Sequence, residues 1–233
     1  MLLLLALRKG AHKWAVACSG GLGILSATMI WLPSPVQQKV FMTTTKSGSF
    51  ETLDILYVIS TLEIGGGERH LSIVARMLVR GGARVHVYSL AGSGPLHEAL
   101  TQSGVTVLVP PVGRDDIGQS LVLRSLRMLL AALHLAYTML RLRPPIVHFF
   151  LPAAYVIGAI AAWIARIDIR IMSRRSLNYY QRAYPAVQWI EKRLHRTMDA
   201  VLGNSIAVVR QLRNEEGVAD DRLGLIYNGI EIP

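Results

Sequence analysis

Four short stretches carry side chains or bare backbone that could act on a ligand: Gly65-Gly66-Gly67, His148-Phe149-Phe150, Ser173-Arg174-Arg175 and Asn204-Ser205. The glycines stand at the entry to a helix, where unpaired backbone N–H groups and the positive end of the helix dipole suit a phosphate, a carboxylate or sugar hydroxyls. Glycine is equally the default residue for a tight turn, so the spacing leaves both readings open. A neutral histidine offers a donor and an acceptor, and His148 could orient a hydroxyl, although a lone histidine in an apolar strand is as readily structural. Arg174 and Arg175 could meet phosphate by bidentate contacts; paired arginines in a loop are also commonly just solvated. Asn204 and Ser205 read as the cap of a helix that runs on to Glu216, since a short polar side chain there accepts from the first free N–H groups.

Other chemistries lack their residues. The glycine run is neither Gly-x-Gly-x-x-Gly nor a Gly-x4-Gly-Lys phosphate loop, and the second strand ends Tyr88-Ser89-Leu90 without the acid that a ribose-binding dinucleotide site needs. There is no Gly-x-Ser-x-Gly elbow. Asp115-Asp116 and Asp220-Asp221 lie in polar loops without a nearby histidine, so no metal site is expected. Cys18 is the only cysteine, which rules out a disulfide within the chain and a cysteine-based metal site.

The elements that must position these groups are legible from periodicity. Ile55 to Ile59 is a continuous apolar run of strand length, and Leu71, Val74, Ala75 and Leu78 then recur at helical spacing, so a strand leads through a glycine turn into a helix. Gly81-Gly82 stops that helix. Further strands are expected over 84–90, 105–109, 146–150, 168–172, 200–203 and 223–227, with helices over 96–103, 120–143, 152–165 and 185–198. Short connections between alternating strands and helices predict right-handed crossovers and an α/β, doubly wound parallel sheet. Ligands of such sheets bind at the carboxyl ends of the strands, near the switch point of strand order, which is where the four stretches would collect.

The chain has 233 residues, enough for one generous domain, with 52% apolar residues and a net charge of +10. That excess favours anionic partners: an anionic membrane surface or phosphorylated substrates. The basic residues are scattered over several elements without a reading helix, so no nucleic acid is expected. Residues 1–50 stand apart. Trp14 to Leu32 is free of charge and just long enough to span a bilayer, with a signal peptide or a misassigned start as competing readings. Pro33 to Phe50 reads as a polar linker. The long leucine-rich helix over 120–143 has arginines at both ends and fits either ordinary packing or contact with anionic lipid.

The ordered set Ile-Gly-Gly-Gly-Glu-Arg-His, Ile-Val-His-Phe-Phe-Leu-Pro, Ser-Arg-Arg-Ser-Leu-Asn-Tyr-Tyr, Gly-Asn-Ser and Ile-Tyr-Asn-Gly-Ile-Glu resembles the amino-terminal half of glycosyltransferase family 4. The resemblance covers about 51–233. It implies a Rossmann-like domain forming the acceptor side of a GT-B fold, and retaining transfer from a nucleotide-sugar without a bound metal. It also implies that Gly65, Gly66 and Gly67 approach donor phosphates or acceptor and that His148 lines the reaction centre. Arg174 and Arg175 would hold acceptor or phosphate, with Phe150, Asn204 and Ser205 shaping the cleft wall. The family's carboxy-terminal donor domain has no counterpart before Pro233. The expectation is therefore a hexosyl-type transferase half from polysaccharide, lipopolysaccharide or glycolipid synthesis, acting on a glycan or lipid-linked acceptor and inactive until joined to that domain or a partner chain. The alternative is a non-catalytic, membrane-associated binding module or a subunit of a split enzyme. The expected location is the cytoplasmic face of the membrane, peripheral or anchored by residues 14–32, although Arg8, Lys9 and Lys13 before that segment favour placing the domain on the opposite side.

Overall fold

The computed structural model describes residues 4–6, 15–17, 53–112 and 120–227. Strands β1 (Leu4–Ala6) and β2 (Ala15–Ala17) form a short antiparallel pair. Apart from these, the expected membrane segment over 14–32 and the linker after it lie outside the described residues.

The body is one seven-stranded parallel sheet built from β3 (Asp54–Ile59), β4 (Arg84–Ser89), β5 (Thr106–Leu108), β6 (Ile146–Phe150), β7 (Ile169–Arg174), β8 (Ala200–Gly203) and β9 (Leu223–Leu225). Their spatial order is β5-β4-β3-β6-β7-β8-β9, with every neighbouring pair parallel. The order reverses between β3 and β6, so the switch point of this doubly wound sheet falls there. The expected α/β architecture and its parallel connections are what is observed.

Helices α1 (Gly66–Arg80) and α2 (Leu96–Gln102) cover one face, where Ile55, Tyr57, Ile59, Val85, Phe150 and Ile171 pack with Leu71, Ala75, Leu78 and Leu100. On the other face lie α3 (Leu121–Leu142), α4 (Pro152–Ile164), α5 (Tyr179–Ala183), α6 (Pro185–His195) and α7 (Ile206–Asn214). There Leu56, Val58, Val147 and Phe149 meet Leu135, Ala154, Tyr155, Ala162 and Leu212. β3 and β6 are buried on both faces, which is why both read as unbroken apolar runs rather than alternating ones. Leu56, Val58 and Ile59 are wholly buried, each contributing about 1.5–3 kcal/mol through the apolar surface withdrawn from water. α4 comes close because of its small residues: a Cβ on Gly158 would stand 2.5 Å from the Phe149 ring.

Most elements fall where periodicity places them; two departures bear on the site. β7 runs on through Arg174 instead of ending at Met172, so Ser173 and Arg174 belong to the strand and not to a loop. The segment after it forms the short helix α5, unforeseen because Tyr-Tyr-Gln-Arg-Ala shows no helical stripe of its own.

Candidate functional site

The carboxyl ends of β3, β6 and β7 bring the glycine turn, the His148 strand and Arg175 together on the α1 face. Gly65 is the N-cap of α1 and the helix begins at Gly66, so the bare backbone forms its first turn. Glu68 folds back over Gly65 and accepts from the Thr61 hydroxyl at 3.2 Å, which ties the turn to the chain leaving β3. The glycines are not there for backbone conformation. Gly65 has φ −135°, and among the described residues the glycines with positive φ are Gly82, Gly92, Gly104 and Gly217. A Cβ on Gly66 would meet nothing within 4 Å, and one on Gly67 would make only ordinary contacts, 3.4 Å to Leu151 and 3.9 Å to Arg175. Alanine would fit at both positions, and the missing side chains leave first-turn backbone open beside Arg175.

Leu151, which touches this turn, has φ 71° and ψ 151°, a conformation costing a non-glycine residue about 1–3 kcal/mol. The twist lets β6 end at Phe150 and α4 start at once with Pro152. Backbone strain of this kind is held where the surrounding packing fixes it, and here it stands at the crevice.

Behind the turn lies an aromatic layer. Tyr57 and His148 are register partners on β3 and β6, with ring centroids 5.3 Å apart, and Phe150 stands 4.6 Å from His148. The Arg175 guanidinium lies 4.9 Å over the Phe150 ring, a cation–π contact, and His70 of α1 approaches the same ring at 6.3 Å. His148 is therefore mid-strand, one layer behind Phe150, and not at the expected strand end. Its Nε2 is 2.7 Å from the Ser173 hydroxyl. Burial, with the Arg175 charge adding to it, holds His148 well below the usual histidine range and pulls His70 down to about 3. Both rings are neutral at physiological pH. Burial also lowers Arg175 to about 10, which still leaves it charged at neutral pH. Asn204 fixes that region by donating from Nδ2 to the Arg175 carbonyl at 3.0 Å, so it supports the cleft wall. Ser205 is the cap of α7, accepting from the Val208 N–H; Asn204 does not share that task.

Arg174 is placed differently. The reading that put it in a solvated basic turn is corrected: it is 3% exposed and points to the opposite face. There Nη1 and Nη2 reach the two Glu216 carboxylate oxygens at 3.2 and 3.0 Å, and Nη2 also meets Glu191 at 3.3 Å. His195 Nε2 lies 2.8 Å from Glu216 and its Nδ1 2.9 Å from the Tyr155 hydroxyl, while Tyr180 donates to Glu191. Burial would push Glu216 up, but the His195 hydrogen bond and the Arg174 charge outweigh it and bring the carboxyl below its usual range. Arg174 thus clamps β7 to α6 and to the end of α7.

Sequence reasoning missed His70 and Tyr57 on one face and Glu191, His195 and Glu216 on the other. Two of these had a signal: Val187, Glu191 and His195 recur every four residues, which puts the last two on the inward side of α6. Among the described residues, no group of three or more His, Cys, Asp or Glu side chains is placed to hold a metal ion.

A seven-stranded parallel sheet with helices on both faces and its switch point between β3 and β6, where a glycine-lined helix entry stands beside a basic and aromatic layer, is a Rossmann-like α/β domain. Residues 64–232 match the Glycosyltransferase Family 4 model, and the chain belongs to that family. Among solved structures it is similar to Anabaena HepE in complex with UDP and glucose, at 21% identity and a TM-score of 0.60, over 77% of this chain and 45% of that one. HepE in complex with UDP-glucose matches at 22% and 0.58, over 76% of this chain and 44% of the other. A glycosyltransferase from Rickettsia africae matches at 16% and 0.50, over 77% and 44%. The chain spans a little under half the length of these relatives. No curated protein matches it significantly in sequence.

Proposed function

We propose that this chain is the acceptor-side half of a retaining, nucleotide-sugar-dependent glycosyltransferase. The observation that carries the reading is the glycine turn, where neither backbone conformation nor packing demands glycine at 66 or 67, and which leaves first-turn amides open beside a cation. Those amides and Arg175 would meet the negative charge of a nucleotide-sugar's phosphates or of a phosphorylated acceptor, since helix entry and guanidinium attract the same groups. His148 would act from the second layer: neutral and held by Ser173, it positions Phe150 and Arg175 rather than touching the reacting atoms. Arg174 has no part in ligand contact. The sugar-nucleotide would be gripped mainly by a second Rossmann-like domain, on the same polypeptide or a partner chain, so the affinity of residues 1–233 alone would be weak. The acceptor would be a glycan or a lipid-linked sugar.

An amide NMR titration of the 233-residue chain with UDP-glucose, and separately with pyrophosphate, tests this. Saturable shifts in the millimolar range are expected at Gly65–Gly67, and Arg175→Ala should weaken them about 10-fold. Shifts that are absent there, or spread evenly over the sheet, would overturn the assignment.

A further inference from the structure

α3 is apolar on two sides at once. It packs on the sheet through Ala131, Leu135, Thr138 and Met139, and the Tyr88 hydroxyl donates to the Ala131 carbonyl at 3.2 Å. Away from that packed stripe, Leu126, Leu129, Leu130, Leu133, Tyr137 and Leu140 recur every three or four residues and face outward. Leu133 is 59% exposed, and on α4, which packs alongside, Trp163 is 67% exposed with Ile160 and Ile164 next to it on the exposed side. A helix apolar on opposite sides needs cover on both, and an uncovered patch of this extent marks an interaction surface.

Charge selects the cover. From Ser120 to Ile167 there are five arginines, at 124, 127, 141, 143 and 166, and no aspartate or glutamate. Arg124, Arg141 and Arg143 are exposed. A second copy of this surface would set like charges against each other, and the amino-terminal apolar stretch begins beside Arg8, Lys9 and Lys13, again of like sign. We infer that the outward face of α3, together with the end of α4, docks on an anionic lipid bilayer, with the leucines in the acyl boundary, Trp163 and Tyr137 at headgroup level and the arginines on phosphates. Arg127 Nη2 donates to the carbonyl of Ala91, just past the end of β4, so the first half of α3 stands at the carboxyl edge of the sheet. Docking there brings the crevice of the domain beside the membrane surface. This surface supports the docking by itself, whether or not the crevice takes a nucleotide-sugar.

The test is a single environment-sensitive label on the full chain. Cys18→Ser removes the native thiol, and Leu133→Cys carries a nitrobenzoxadiazole group; Gln102→Cys on α2, on the opposite face of the sheet, is the control. With vesicles of phosphatidylglycerol and brominated phosphatidylcholine, emission from position 133 should shift to the blue and be quenched by the brominated chains, while position 102 stays in water. Arg141→Gln should weaken binding at low salt roughly 5-fold, as expected for one cation at an anionic surface. Docking by this face is overturned if vesicles bind while position 133 remains in water, or if phosphatidylcholine alone binds equally well. It is also overturned if position 133 is already shielded without vesicles. Dependence of that shielding on protein concentration would then identify a second copy as the cover, and independence would identify the chain's own residues.

Discussion

Arg174 and Arg175 are neighbours in the chain and share almost nothing else. Arg174, on the α6 and α7 face, is spent on two buried carboxylates, with His195, Gln181 and the tyrosines completing the hydrogen bonds. Arg175, on the α1 face, lies over Phe150 beside the glycine turn, with neutral His70 and His148 around it. Successive side chains of a strand leave on opposite faces, so one end of β7 feeds two different chemistries. A guanidinium closed in by carboxylates holds elements together; the one over Phe150 stands beside the glycine turn, at the carboxyl end of the sheet.

The sharpest break in that contrast is Arg174→Met. It leaves Glu191 and Glu216 buried without their cation and should cost about 3–5 kcal/mol in urea unfolding. Arg175→Met, at a partly exposed position, should cost less, and should weaken the anion response of the glycine amides about 10-fold. Equal losses for the two would mean that they do the same structural job.

The next effect in size depends on pH. His70 is neutral in the folded protein, with a pKa of about 3, whereas the unfolded chain takes up its proton at about pH 6.5. The unfolded state therefore binds more protons below that value, and stability falls as pH falls until the folded pKa is reached. Between about pH 6.5 and about pH 5 the loss from His70 should be about 1.6 kcal/mol, and His70→Gln should reduce the fall there by that amount, leaving the part that neutral His148 contributes. Glu216 acts in a lower window: its depressed pKa means that its stabilisation is lost only as acid protonates it, below the ordinary carboxylate range. A curve unchanged by His70→Gln would mean that His70 does not contribute to the pH dependence.

The smallest effects have opposite signs in two assays. Gly66→Ala and Gly67→Ala should raise stability by up to about 1 kcal/mol each, because the backbone conformation suits alanine and the unfolded chain loses freedom. The same substitutions should weaken the UDP-glucose response. A loss of stability instead would return these glycines to a structural role.

Much of this is legible in the residues alone. Ile55–Ile59 and Ile146–Phe150 announce strands buried on both faces, and the run from Gly65 into Leu71, Val74, Ala75 and Leu78 announces a helix entered through bare backbone. The end of one strand is not legible in the same way. Stopping β7 at Met172 turns Ser173-Arg174-Arg175 into a loop, where facing has no meaning; two more strand residues put Ser173 on the α1 face and Arg174 on the other, with Arg175 just past the strand. His148 is misplaced for a related reason: an apolar strand does not show how far along it the crevice lies.

The sequence by itself determined the order of the elements, the parallel sheet and the glycine-lined helix entry, because hydrophobic periodicity and turn chemistry are local properties that act through neighbours three or four residues away. Only the tertiary structure decided which arginine is closed in by carboxylates, because Glu216 lies forty-two residues from Arg174 in the chain and becomes its partner solely through the packing of α7 against β8 and β9. It alone decided too that one stripe of α3 is covered and the other is not, since both are apolar and only contact with the sheet distinguishes them.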